Sequence, residues 1–125
     1  MARRRTAAEH YSQAQDTEAL YHHLGGQDST WPEWSATLLF YTAVQEVEAV
    51  LRALKRRPSG DHRDRKEQIK AALPANLVPA YESLEQVSKD ARYDGYKPTR
   101  SRLQLLELQL SVVRSEIQKA GAPPY

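Results

Sequence analysis

Arg57 and His62 stand with four residues between them in the stretch LKRRPSGDHRDRKEQI, Leu54 to Ile69. Metal-free RNA cleavage needs a base that activates the 2′-hydroxyl and a cation that holds the phosphate, and a His with an Arg supplies both. Pro58, Ser59, Gly60 and Asp61 lie between the two, and these residue types stop one helix and start another. The stretch therefore reads as a helix stop followed by a capped helix start, with Arg57 and His62 as the candidate catalytic pair wherever the loop folds them together. Asp61 favours a protonated imidazole, whereas the first turn of a helix favours the neutral ring.

A second constellation is aromatic and basic. Tyr41, Tyr93 and Tyr96, with His62, Arg63 and Arg92, have the chemistry to stack a base and hold a phosphate. The competing reading is that tyrosines at helical spacing are core residues whose hydroxyls find partners. Other chemistries lack their residues. The chain has no cysteine, which excludes disulfides, thiolate zinc sites and thiol nucleophiles. Its five glycines are scattered through turns and make no phosphate loop. His22 and His23 are adjacent and diverge on a helix, and His10 with Asp16 or Glu18 has no better spacing, so neither a metal nor a cofactor is expected. No nucleophile turn is recognisable.

The formal net charge is +2 in 125 residues, too small to imply a nucleic-acid partner by itself. Clustering matters more: Arg3 to Arg5, Lys55 to Arg57, Arg63 to Lys66, and Arg92 to Arg102 with Lys97. These are solvated helix faces unless several meet on one face, where they would bind phosphate. No apolar stretch approaches the ~20 residues that span a bilayer, and MARRRT is followed by polar residues, not by an export signal's apolar run. The expectation is a cytoplasmic protein with no membrane contact.

Five helices must position these residues, in one helical domain over 1–125 with its core at about 6–120 and a frayed tail at 121–125. The first runs from about Thr6 to Leu24, buries Tyr11, Ala14, Leu20, Tyr21 and Leu24, and stops at Gly25 and Gly26. The second runs from Pro32 to about Arg57, with Thr30 as its cap. Phe40, Val44, Val47, Leu51 and Leu54 form its stripe, and Ala36, Leu39, Ala43 and Val50 a second flank, so it should be central. Glu48 and Arg52 on it make an exposed i,i+4 pair. Asp61 caps the third helix, with Asp64 as an imperfect capping-box partner, and Pro74 ends it. The fourth, Asn76 to Tyr93, buries Leu77, Tyr81, Leu84, Val87 and Ala91. Thr99 caps the fifth, striped by Leu103, Leu106, Leu110, Val113 and Ile117, with Leu105, Leu108 and Val112 widening it. The apolar width of the second and fifth helices suggests a homodimer through one of them; the alternative is a monomer in which the third and fourth helices cover both.

In order and spacing, WPEWSATLLFYTAVQEVEAVL, then His62 opening a short charged helix, then LPANLVPAYESLEQVSKDARYDGY resemble the HEPN superfamily over roughly residues 30 to 96. Phe40-Tyr41-Thr42-Ala43 and Ala91-Arg92-Tyr93 carry the likeness. The resemblance implies an all-α, five-helix up-and-down bundle, often dimeric, among RNA-cleaving toxins and defence proteins. It also implies an Arg and a His four to six residues apart on a late helix. Here no His follows Arg92 at that distance. Gln45 occupies a position where kin often carry His, and it cannot act as a base. The implied function is a non-catalytic helical module that dimerises and binds RNA, a nucleotide or a protein partner, with Tyr41, Gln45, His62, Arg63, Arg92, Tyr93 and Tyr96 as ligand-binding residues. The alternatives are a metal-independent ribonuclease using His62 and Arg57, and a structural partner of a neighbour-encoded nucleotidyltransferase.

Overall fold

The protein is described from a computed structural model covering residues 5–120. Its elements are α1 (Ala7–His23), a 3₁₀ turn (Gly26–Asp28), α2 (Pro32–Ala53), α3 (His62–Ala72), α4 (Leu77–Tyr93) and α5 (Arg100–Lys119). This is an all-α bundle of five helices, with no strand among the described residues.

Helix ends follow local chemistry. Thr6 and Glu9 form a reciprocal capping box at the start of α1. Gly25 takes φ 108° immediately after that helix, where an added Cβ would press to 3.1 Å from the Ser29 Cα, so a left-handed glycine closes α1 as the sequence suggests. Asp61 caps α3 by accepting from the Asp64 N–H, and Thr99 caps α5 by accepting from the Arg102 N–H. Asp64 does reach back, but to the Gly60 N–H at 2.8 Å instead of the cap residue's own. Two boundaries differ from expectation. The residue preceding α2 is Trp31, not Thr30, because Pro32 supplies the first helical position. The same helix ends at Ala53, four residues before Arg57, because Lys55 turns left-handed at φ 62°. The Lys55 and Arg56 amides then donate to the Arg52 and Leu51 carbonyls, a Schellman closure built on lysine.

Helix α2 is the axis. It buries 14 residues, among them Ala36, Leu39, Phe40, Ala43, Val47, Val50 and Leu51. The hairpin through Gly25 lays α1 antiparallel on one side, so that His10 near its start meets Gln45 late in α2. A second hairpin, turning through residues 94–99, supplies α4 and α5 on the other side. Arg100 pairs with Asp28 ahead of α2, and Arg114 with Glu46 farther along it, so α5 runs parallel to α2. The short α3 folds back as a strap, burying Ile69 and Gln68 and tying Arg65 to Glu48 and Lys66 to Glu85.

The expected faces of α4 and α5 are all buried. Leu20 and Leu54 are exposed, against expectation. Among the described residues nothing fully covers Leu20 on α1, and Leu54 sits past the end of α2. Most of the apolar width of α2 is absorbed within the chain, with Trp34 the large hydrophobic side chain of that helix left exposed. Leu105, Leu108 and Val112 of α5 remain exposed. Among the described residues no helix is long and apolar enough to cross a membrane.

Candidate functional site

His62 is placed by the Asp61 cap, which starts α3 directly over the middle of α2. Its ring lies 5.5 Å from Phe40 and 6.5 Å from Tyr41, centroid to centroid. Arg92, in the last turn of α4, reaches the same place: its Nη1 donates to the Tyr41 hydroxyl at 3.0 Å, and its Nε to the Ser88 carbonyl at 3.3 Å. The guanidinium carbon lies 5.6 Å from the Tyr41 ring centre and 5.1 Å from that of Tyr93. Both separations fall within cation–π range. Tyr41, His62, Arg92 and Tyr93 are thus one cluster, assembled from three helices. Tyr93 is its open side, 72% exposed.

The other expected residues are placed differently. Arg57 makes two 2.6 Å bonds to the two Asp64 oxygens, which draw its guanidinium into an ion pair at the surface. The same bonds hold the Asp64 carboxyl well below the usual carboxylate range. His62 pairs instead with Arg65, whose Nη1 lies 2.8 Å from its Nδ1. Arg63 is exposed on α3. Tyr96 is exposed in the turn after α4, where its N–H donates to the Asp90 carbonyl, and no ring contact joins it to the cluster among the described residues. Gln45 lies elsewhere on α2, with its Oε1 2.7 Å from His10 Nδ1.

Burial and the Arg65 contact together set the protonation of His62. Burial pushes the His62 pKa down, the Arg65 and Arg92 charges add to this, and Glu85 and Asp61 oppose it without prevailing. The ring is neutral at neutral pH. A guanidinium only donates hydrogen bonds, so Nδ1 accepts and the ring proton sits on Nε2. His62 therefore presents a hydrogen-bond donor, and the lone pair a general base would use is already engaged by Arg65.

Arg65 also joins this cluster to a second group. Its Nε bonds Glu48 at 2.7 Å, and Arg52 lies 3.6 Å from the same carboxylate. Glu48 is buried, so the pair expected on an exposed helix face is an interior three-membered network. The strap folding back over α2 covers it, which spacing along one helix cannot reveal. These groups line a cleft of about 240 Å³ with Arg5, His10, Val44, Gln45, Pro58 and Ser59. His10, Arg52 and Arg65 were not among the site residues expected from the sequence. The i,i+3 spacing of His62 and Arg65 was the one available signal, since it puts both on one face of α3. Compared with protein-family models, curated proteins and solved structures, the chain finds no match in any of the three.

Proposed function

We propose that this protein is a non-catalytic helical module that binds single-stranded RNA or a nucleotide at the Tyr41–His62–Arg92–Tyr93 cluster. One observation carries the reading: a guanidinium held between two tyrosine rings, one of them exposed, beside a neutral imidazole that offers Nε2–H. An open aromatic face stacks a base, Arg92 attracts phosphate, and a histidine N–H donates to a phosphate or carbonyl oxygen. The committed Arg57 and the engaged Nδ1 of His62 favour binding over cleavage. The test is fluorescence anisotropy with a labelled single-stranded RNA in EDTA, with RNA integrity followed on the same samples. Binding without cleavage is expected, and Tyr93→Ala should weaken it about 5- to 100-fold, the worth of one stacked base. RNA cleaved by the wild type but not by His62→Ala or Arg92→Ala would make it a ribonuclease.

The module acts as a homodimer in this reading, which rests on α5. Leu105, Leu108 and Val112 recur at i, i+3 and i+7 on its uncovered side, a spacing suited to pairing with a second copy of the same helix.

A further inference from the structure

From Ser35 to Leu51, α2 is buried on every side but one. In that span only Leu38, Tyr41 and Gln45 are not buried, and with Trp34 before them they recur at spacings of four, three and four, a single line along the helix. His10 of α1 reaches this line at Gln45, and Arg92 of α4 reaches it at Tyr41, so the line is the floor of a groove between those two helices. From His62 onward α3 roofs the later part, where Arg65 ties to Glu48. The end at Trp34 is open, the residue being 57% exposed.

A lone exposed apolar side chain needs no explanation, but register sets Trp34 apart. It stands seven residues before Tyr41, which on an α-helix is the same face to within about 20° and a rise of about 10 Å. An indole is thus in line with the phenol ring that Arg92 holds. Leu38, between the two, packs against the core and gives the groove an apolar floor. None of the four residues carries a charge, so no carboxylate on the line repels a phosphate backbone.

We infer that Trp34 is a second stacking platform and that the ligand is a single strand laid along this groove, not a lone nucleotide. The inference rests on the Tyr41–His62–Arg92–Tyr93 cluster being the binding site and narrows what that site takes. Successive bases of a stacked strand lie about 3.4 Å apart, so no one base serves two platforms separated by about 10 Å. Different bases of one strand fill them, each adding its own stacking energy.

Trp31 and Trp34 are the two tryptophans of the chain, so Trp31→Phe leaves Trp34 as the sole indole reporter. A single-stranded RNA of about eight nucleotides, inside the ~4–16 that such sites take, should quench its fluorescence saturably. Adenosine monophosphate at the same concentration should not. In anisotropy competition with the otherwise native chain, Trp34→Ala should weaken the octamer about 5- to 100-fold and shrink its advantage over adenosine monophosphate by the same factor. Trp34→Phe keeps an aromatic face and should recover most of the affinity. Melting temperatures within about 2 °C of wild type, under 1 kcal/mol for a chain of this size, verify that the variants fold. If the octamer binds and depends on Tyr93 but loses no affinity in Trp34→Ala, or leaves the Trp34 emission unchanged, the second platform is overturned and the aromatic cluster stands. Equal affinity for the octamer and adenosine monophosphate overturns the strand as ligand. No binding of the octamer by the wild type overturns the aromatic site itself, and this inference with it.

Discussion

Replacing Arg65 by methionine removes the group that joins His62, Glu48 and the cleft, while keeping most of the side chain's apolar length. Two bonds are lost, at 2.7 Å to Glu48 and 2.8 Å to His62. Stripping a buried ion pair of one partner costs about 3–5 kcal/mol, but Arg52 remains 3.6 Å from Glu48, so the expected loss is about 2–3 kcal/mol. For a chain of this length, about 4 °C per kcal/mol gives a fall in Tm of roughly 10 °C. The protonation effect has a definite sign. The folded-state pKa of His62 is depressed, so the unfolded chain binds this proton first and its protonation opposes folding. Its contribution is therefore complete above the ordinary imidazole range and is lost as pH falls through the folded value. In Arg65→Met one cause of the depression is gone while burial, the larger cause, persists. The His62 pKa should rise yet stay below its ordinary value, and the acid loss attributable to His62 should narrow. Histidine C–H titration by NMR and thermal melts from about pH 5 to 8 measure both effects. A His62 that titrates in the variant as it does in wild type, or a Tm change under about 2 °C (less than 1 kcal/mol), would refute the clamp.

Three further outcomes follow from the fold. Phe40→Ala, at the contact of α2 with Tyr81, Tyr41 and His62, should cost about 3–5 kcal/mol in chemical denaturation. Lys55→Gly should stabilise by about 0.5–1 kcal/mol in the same assay, because glycine carries no penalty at a positive φ. Leu108→Glu on the outer face of α5, where the leucine is 63% exposed, should halve the mass seen by light scattering under the proposal of an α5 homodimer; an unchanged mass would refute that proposal.

Much of the architecture was legible because helix faces and caps are local. The stripes of α4 and α5 appear in the sequence at their own spacing, and Asp61 and Thr99 cap where their side chains can reach. What escaped was decided by neighbours. Lysine at position 55 carries none of the glycine signal that marks a left-handed turn, so α2 appeared longer than it is. Glu48 looked exposed because the element that buries it lies 17 residues on, at Arg65. Leu20 looked buried because apolar character alone does not say whether another helix arrives. At the candidate site, Tyr41, His62, Arg92 and Tyr93 were all named from the sequence, and the structure brings them together. Gln45 was named for its missing basicity, while its visible role is to orient His10 across 35 residues. The spacing of Arg57 and His62 suggested partnership, yet each has a closer partner on α3, Asp64 for one and Arg65 for the other.

The most direct measurement is a map of backbone shifts on adding a short single-stranded RNA to the ¹⁵N-labelled protein in EDTA. The account predicts saturable shifts concentrated at Tyr41, His62, Arg92 and Tyr93, with the RNA intact afterwards and the shifts lost in Arg92→Ala. Shifts confined to the outer face of α5, or no shift at RNA concentrations that saturate other single-strand binders, would contradict it.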